Sequence, residues 1–269
     1  MKKLALILIF LLSVSYSKPS EKDLKSEPLS QEAKQSFIIK EALMLEFKGK
    51  RYKIFKALSK NFSPTKEAKA FYLLDANKHF VLLLNGLAKQ NFKSNTPFII
   101  IGIGYDINEG YDVEQRTRDY TPKVLGKDYE RGGGEGEFFQ FLDTRLLPSL
   151  KKSYPKIHKQ ALFGHSFGGL FALNALINHK LIFDSYFIAS PSLWWGNGEF
   201  LKKLNTSNCP HILILKGEKE KNRANSMTVS ALIENFLSKC RVDFKKFKDQ
   251  THGAVILPAL IFAFKEFVR

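Results

Sequence analysis

Residues 160–179 read QALFGHSFGGLFALNALINH and hold Ser166 between two glycines, in the frame G-x-S-x-G. This frame indicates an exposed nucleophile when a strand leads into the serine and a helix leads away from it. Both conditions are met, because the apolar run 160–164 is typical of a buried strand and 168–179 of an apolar helix. The stretch therefore predicts a strand–turn–helix unit with Ser166 at its turn.

Strand and helix signals alternate on both sides of this unit. Segments 36–47 and 51–58 alternate apolar and polar residues, which predicts an antiparallel hairpin with Gly49 at its turn. Further buried strands are predicted at 68–74, 97–102, 185–189, 211–215 and 242–247, and helices at 79–88, 135–150, 227–239 and 254–268. Alternation of this kind predicts an α/β fold in which helices flank a mostly parallel sheet.

One long segment, 104–136, shows no periodicity and many turn residues. It is too long for a plain connection inside a compact domain. Ordered loops of this length usually carry function. The segment is therefore predicted to be a functional loop.

The N-terminus has the layout of a secretory signal peptide. Met1-Lys2-Lys3 is basic, residues 4–12 form an unbroken apolar run, and Ser15 and Ser17 suit cleavage after residue 17. The predicted organisation is a signal peptide at 1–17, a polar N-terminal arm at 18–35 and one domain at 36–269. An uncleaved membrane anchor is the alternative; after cleavage, no run long enough for a stable membrane span remains.

The formal net charge of +16 bears on which kinds of molecule the protein binds. The basic residues are scattered and no nucleic-acid motif accompanies them, so nucleic acid is not the expected partner. An anionic ligand, an anionic surface or simply a solvated basic face accounts for the charge. Cys209 and Cys240 could pair outside the cytosol, but their spacing does not decide this and is not a metal pattern.

A serine nucleophile needs a base, and His252 is the expected base for Ser166. In the chain order Ser, acid, His, the histidine follows the last strand, as His252 does. His165 lies beside Ser166 in the turn, so its side chain should point away from Oγ. The acid is less clear: Glu218 follows the 211–215 strand at the usual place. The alternatives are Glu220, Asp243, Asp249, or a Ser–His dyad with no acid.

The oxyanion formed during acyl transfer needs amide donors. The backbone amide of Phe167, at the start of the helix after the nucleophile, is the first expected donor. The second should follow the 68–74 strand, at the backbone of Ala76 or Asn77.

Several longer motifs resemble the putative esterase family of α/β-hydrolases. They are LLDANKHF at 73–80, GHSFGGLFAL at 164–173, FDSYFIASPSLWW at 183–195 and THG at 251–253. RTRDYTP at 116–122 and GGGEGEFFQFLDTRLLP at 132–148 are similar to the siderophore esterase branch. Ala76 stands where the family usually has glycine.

The resemblance implies an α/β-hydrolase fold and a periplasmic serine esterase that cuts the trilactone of enterobactin-type catecholate siderophores, helping to release iron. It implies no metal or other cofactor, and some members of the branch use a Ser–His dyad. It points to Arg116 or Arg118 as a contact for an anionic catecholate, ferric or iron-free. Trp194 and Trp195 could stack on catechol rings. Two alternatives stay open: an esterase for other acyl or carbohydrate esters, and a siderophore-binding protein with little or no catalysis.

Overall fold

An eight-stranded sheet forms the centre of the computed structural model, which describes residues 25–222 and 226–269. The strands are β1 (Phe37–Phe47), β2 (Lys50–Ser59), β3 (Ala68–Leu73), β4 (Phe98–Tyr105), β5 (Ile157–His165), β6 (Ser185–Ala189), β7 (His211–Gly217) and β8 (Val242–Phe247). Their order in the sheet is β1-β2-β4-β3-β5-β6-β7-β8. The pairs β1/β2 and β2/β4 are antiparallel, and every other pair is parallel. The prediction of a mostly parallel α/β fold is confirmed.

Helices cover both faces of this sheet. They are α1 (Gln31–Ser36), α2 (Ala76–Lys89), α3 (Val113–Tyr120), α4 (Glu135–Phe141), α5 (Leu147–Ser153), α6 (Phe167–Asn178), α7 (Val229–Phe236) and α8 (Ile256–Val268). Successive strand residues point to opposite faces, so Phe71 packs in the layer with α2 and α8, whereas Tyr72 packs in the layer with α6. The inner strands β3, β4 and β6 are buried almost throughout, which explains their continuous apolar runs, whereas the edge strand β8 is partly exposed.

The segment 104–136, predicted to be a functional loop without regular structure, contains helical elements. It contains α3 and a short 3-10 turn at Lys127–Tyr129. Asp112 caps α3 by accepting a hydrogen bond from the Gln115 amide at 2.8 Å. The helix has no apolar stripe, and its buried side chains include Arg116 and Asp119. Both charged side chains form ion pairs, which hydrophobic periodicity does not report, and Tyr120 packs in the core.

The helix predicted at 135–150 continues to Ser153 but is not uniform. A π-helical turn at Leu142–Leu146 separates α4 from α5. Pro148 lies in the first turn of α5, directly after the π-helical turn, and the helix continues past it.

The N-terminal arm predicted at 18–35 is structured in its described part. Helix α1 begins after Ser30, whose hydroxyl accepts a hydrogen bond from the Ala33 amide at 3.1 Å. Ala33 is fully buried, and the Ser30 amide donates to Asn85 Oδ1 of α2 at 2.9 Å. The second half of the arm thus packs on the domain. The predicted signal peptide at 1–17 lies outside the described residues.

A disulfide joins Cys209, just before β7, to Cys240, just before β8. It therefore ties the starts of two adjacent parallel strands together, which the sequence alone left open. Within residues 25–222 and 226–269, no helix is both long and apolar enough to cross a membrane.

Candidate active site

Ser166 occupies a sharp turn between β5 and α6, as its motif predicts. Its backbone has φ 59° and ψ −116°, an unusual conformation for a residue with a side chain. A Cβ on Gly164 would overlap the carbonyl oxygen of Gly168, so the turn requires glycine at 164. Such a turn holds the serine hydroxyl at the carboxyl edge of the sheet, away from the strand backbone.

Two helices begin beside each other at this edge. α6 begins at Phe167, and α2 begins at Ala76 after Asp75, whose backbone is left-handed at φ 55° and ψ 39°. A Cβ on Gly168 would lie 3.6 Å from Asp75 Oδ2, which shows how closely the two turns approach. The first amides of a helix lack helical acceptors and attract negative charge. The backbones of Phe167, Ala76 and Asn77 lie at these two helix starts, and their role as oxyanion donors stays a prediction.

The side chain of Asn77 serves the fold. Its Oδ1 accepts from the Tyr105 amide at 2.8 Å, and its Nδ2 donates to the carbonyl oxygens of Tyr105 and Ile107 at 2.9 and 3.2 Å. These bonds join the start of α2 to the end of β4. Only the backbone of Asn77 therefore remains for a bound oxyanion.

His252 lies in the turn between β8 and α8, with its side chain 47% exposed. Its Nδ1 lies 3.2 Å from Glu220 Oε2. Because a carboxylate only accepts hydrogen bonds, this contact places a proton on Nδ1 and leaves Nε2 free to act as a base.

Glu220 is the carboxylate that the structure brings to His252. Its Oε1 accepts from Ser190 Oγ and from the Gly217 amide, each at 2.6 Å, and its side chain is only 7% exposed. Burial by itself would raise the pKa of Glu220, but hydrogen bonds from His252, Ser190 and a backbone amide outweigh it and lower the pKa. Glu220 is therefore held as an anion facing the imidazole.

Glu218, the acid favoured by the sequence, does not fill this place. It is exposed, and its Oε2 accepts a hydrogen bond from the Asp249 amide at 3.2 Å. The two aspartates considered beside it pair with bases elsewhere: Asp249 with Lys219 at 2.9 Å, and Asp243 with Arg241 at 3.1 Å. The turn after β7 directs the side chain of Glu220, two residues after Glu218, towards His252.

His165 supports the His252 turn, a contact that sequence reasoning missed. Its Nε2 donates to the carbonyl oxygen of His252 at 2.9 Å, and the two rings lie 4.6 Å apart. Burial lowers the pKa of His165 well below its ordinary value and that of the neighbouring His79 to about 4, so both rings are neutral at physiological pH. The residue next to Ser166 thus holds the backbone of the expected base.

Ser166 Oγ lies 3.3 Å from the hydroxyl of Ser192, on the segment after β6. The amide of Ser192 also donates to the carbonyl oxygen of Ser166 at 3.2 Å. Hydrogen bonds between catalytic groups are often long before substrate binds, so the resting contact with Ser192 is compatible with proton transfer to His252.

Arg116 forms a buried ion pair at the site, and its expected contact with substrate stays a prediction. It is 8% exposed, and its Nε and Nη2 donate to the two carboxylate oxygens of Asp75, both at 2.8 Å. Its guanidinium carbon also lies 5.5 Å from the ring centroid of Phe167. Arg116 therefore braces the start of α2 and the start of α6 together.

We expect Arg116→Met to lower the free energy of unfolding by about 3–5 kcal/mol, because it leaves the buried Asp75 carboxylate without its cation. Denaturant unfolding followed by circular dichroism measures this change. The matched control is Arg241→Ala, whose side chain is 89% exposed and whose loss should cost less than about 0.5 kcal/mol. A loss below about 1 kcal/mol for Arg116→Met would show that the pair does not brace the site.

Arg118 is likewise engaged with carboxylates. Its Nη1 donates to Asp119 and its Nη2 to Glu137, both at 2.6 Å. Asp119 also accepts from the Tyr52 hydroxyl at 3.2 Å, and burial raises the pKa of Asp119 to about 6. The bond to Glu137 links α3 to α4. The side chain is still 30% exposed, so the substrate contact expected of Arg118 stays a prediction.

The two tryptophans have different places. Trp195 is 1% exposed, and its Nε1 donates to the carbonyl oxygen of Pro122 at 3.0 Å, so it packs in the core and cannot stack on a ligand. Trp194 is half-buried, with its ring 5.7 Å from that of Phe167 beside the nucleophile turn. Ring stacking by Trp194 on a ligand stays a prediction.

Together these residues form the arrangement of acyl-transfer chemistry: a strained serine, an imidazole oriented by a buried carboxylate, and two helix starts for an oxyanion. In the described part of the chain, no cluster of three or more histidine, cysteine or acidic side chains is placed to hold a metal.

Comparison with known proteins gives consistent matches. A family model described as "Putative esterase" matches residues 47–240. The ferri-bacillibactin esterase BesA of Bacillus subtilis is 33% identical over 79% of this chain and 83% of its own length. The siderophore enterobactin esterase of Emericella nidulans is 30% identical over 72% of this chain and 80% of its own. The solved siderophore hydrolase EstA from Aspergillus nidulans superposes with a TM-score of 0.71 at 27% identity, covering 84% of this chain and 93% of that one.

Proposed function

The chain belongs to the Putative esterase family and is an esterase, and from this premise we propose that it hydrolyses the trilactone ester bonds of enterobactin-type catecholate siderophores. The observation that carries the proposal is the contact of His252 Nδ1 with the buried Glu220 carboxylate, beside the strained turn of Ser166. A serine, a base and an orienting acid are what ester hydrolysis through an acyl-enzyme needs.

In the first half of the reaction, Ser166 Oγ bonds to the ester carbonyl carbon while its proton passes to Nε2 of His252. The carbonyl electrons move onto oxygen, where the amide of Phe167 and that of Ala76 or Asn77 stabilise the charge. Glu220 stabilises the imidazolium that forms. Collapse of the intermediate breaks the ester bond, and the departing alcohol takes the proton from His252.

In the second half, His252 takes a proton from water, and the resulting hydroxide adds to the acyl carbon. Collapse now releases Ser166 Oγ, which takes the proton back, and leaves a carboxylic acid. Each turnover therefore consumes one water and opens one ester bond. Repetition would convert a cyclic trilactone to shorter linear acids, which hold iron less tightly and so help to release it.

Several features support a siderophore substrate. Two relatives at 30% identity or more are named as siderophore esterases. The net charge of +16 would attract an anionic catecholate, even though Arg116 and Arg118 are already neutralised by carboxylates. Trp194, half-buried beside Phe167, offers an aromatic surface for a catechol ring.

A periplasmic location forms part of the same proposal. The signal-like N-terminus at 1–17 supports export, although it lies outside the described residues. The Cys209–Cys240 disulfide supports an oxidising compartment.

Product analysis tests the proposal. Purified protein that begins after residue 17 is given enterobactin with and without iron, beside the Ser166→Ala variant, and products are separated by chromatography. We expect the wild type alone to form linear trimer, dimer or monomer. Tight binding without cleavage would overturn the proposal in favour of a binding protein. Turnover of simple acyl esters without cleavage of enterobactin would overturn the proposed siderophore substrate. The protein would then be an esterase that acts on other substrates.

A further inference from the structure

We propose that Ser190 is a positioning residue for the esterase reaction, acting through Glu220 to aim the carboxylate at His252. The inference rests on the proposed triad and deepens it. Ser190 follows β6 directly, in the segment Ser190-Pro191-Ser192, and touches none of the atoms that would react.

The first support is that the two carboxylate oxygens of Glu220 have different hydrogen-bond partners. Oε1 accepts from Ser190 Oγ at 2.6 Å and from the Gly217 amide at 2.6 Å, whereas Oε2 faces His252 Nδ1 at 3.2 Å. Short hydrogen bonds to a charged oxygen are among the stronger ones in proteins. Two of them on Oε1 fix the carboxylate plane, so that Oε2 presents its lone pair to the imidazole.

The second support is the backbone of Ser190. It has φ 44°, a left-handed value that is unusual for a residue other than glycine. Ser190 is 3% exposed, and its amide donates to the carbonyl oxygen of Leu215 on β7 at 2.8 Å. Strain of this kind persists where the surroundings impose it, and it clusters at functional sites. A glycine would remove the strain but also the hydroxyl that Glu220 uses.

The third support is the other end of the same segment. Ser192 Oγ lies 3.3 Å from Ser166 Oγ, and its amide donates to the Ser166 carbonyl oxygen. Residues 190–192 therefore contact the acid with one serine and the nucleophile with the other. The conformation of this one segment therefore sets the positions of both groups relative to each other.

Steady-state kinetics on p-nitrophenyl butyrate test the role of Ser190. We expect Ser190→Ala to lower kcat about tenfold, the usual effect of one hydrogen bond to a charged group, with KM unchanged. Ser190→Gly should lower kcat as much as Ser190→Ala does. Its thermal midpoint should equal or exceed that of Ser190→Ala, because glycine relieves the left-handed strain. The control is Ser185→Ala, at the opposite end of β6 and 7% exposed, which should keep wild-type kcat.

A double-mutant cycle shows whether Ser190 acts through Glu220. In a Glu220→Ala background the carboxylate is gone, so Ser190→Ala should change kcat by less than about twofold. An additive tenfold loss in that background would overturn the inference, and so would wild-type kcat in Ser190→Ala and Ser190→Gly.

The substrate choice separates this inference from the proposed siderophore function. If wild type cleaves p-nitrophenyl butyrate but not enterobactin, the siderophore proposal fails while the cycle still decides the role of Ser190. If wild type cleaves neither ester, the proposed function and the inference that rests on it are both overturned.

Discussion

Ser166→Ala is expected to lower kcat/KM for ester hydrolysis by about five to six orders of magnitude, because it removes the hydroxyl that would form the acyl-enzyme. The hydroxyl is removed but the turn is kept, since alanine meets the same φ of 59° as serine. The thermal midpoint should therefore stay within about 2 °C of wild type, as no buried contact of large area is lost. Steady-state kinetic assays of the purified wild type and variant measure the loss of kcat/KM.

Covalent labelling provides the control for this variant. An organophosphorus fluoride should add one adduct to the wild type, found by mass spectrometry on the peptide with Ser166, and none to Ser166→Ala. A variant that keeps more than about one hundredth of wild-type activity, or that is still labelled, would place the nucleophile elsewhere.

The second large effect concerns the acid. Glu220→Gln should lower kcat by about a hundredfold to ten thousandfold with little change in KM, because an amide facing Nδ1 no longer favours the productive tautomer of His252. The lowered pKa of Glu220 means that the wild-type carboxylate is ionised at neutral pH, so the loss is a loss of charge as well as of orientation. Initial rates at neutral pH with a soluble acyl ester measure it.

Glu218→Gln is the matched control, because it makes the same chemical change two residues earlier in the chain. Glu218 is exposed and bonds to the Asp249 amide, so its replacement should alter kcat by less than about twofold. Equal losses in the two variants would contradict the assignment of Glu220. Wild-type kcat in Glu220→Gln would show a Ser–His dyad that needs no acid.

The nucleophile turn could be predicted because its determinants are neighbours in the chain. Gly164 must lack a side chain to pass the carbonyl oxygen of Gly168, and the apolar runs on either side specify strand and helix. The place of His252, after the last strand, follows from the order of elements in a parallel sheet. Local sequence therefore contained the fold class and two members of the proposed triad.

The acid could not be predicted, because its identity depends on how a turn of three residues directs its side chains. Glu218 and Glu220 both follow β7, yet only Glu220 accepts from Ser190 and the Gly217 amide. Ser190 follows another strand, so this preference arises only after β6 and β7 have paired.

The surroundings of Arg116 and Arg118 could not be predicted from the sequence either. Arg116 and Arg118 are cationic residues in a motif beside the site, and the sequence favours substrate contact for them. Their partners Asp75 and Glu137 lie far from them in the chain, and the fold brings each carboxylate within hydrogen-bonding distance. A buried cation such as Arg116 is stable only beside such a partner, so its pairing depends on segments that the fold brings together.

The α/β fold, the turn of Ser166 and the strand-to-helix turn that holds His252 follow from local sequence, since periodicity and glycine spacing act over a few residues. The carboxylate that meets His252, the burial of Trp195 and the partners of the two arginines depend on the packed fold. Those outcomes depend on hydrogen bonds and ion pairs between distant segments. Burial makes an unpaired polar group costly, so each partner is chosen by what the packed sheet brings near.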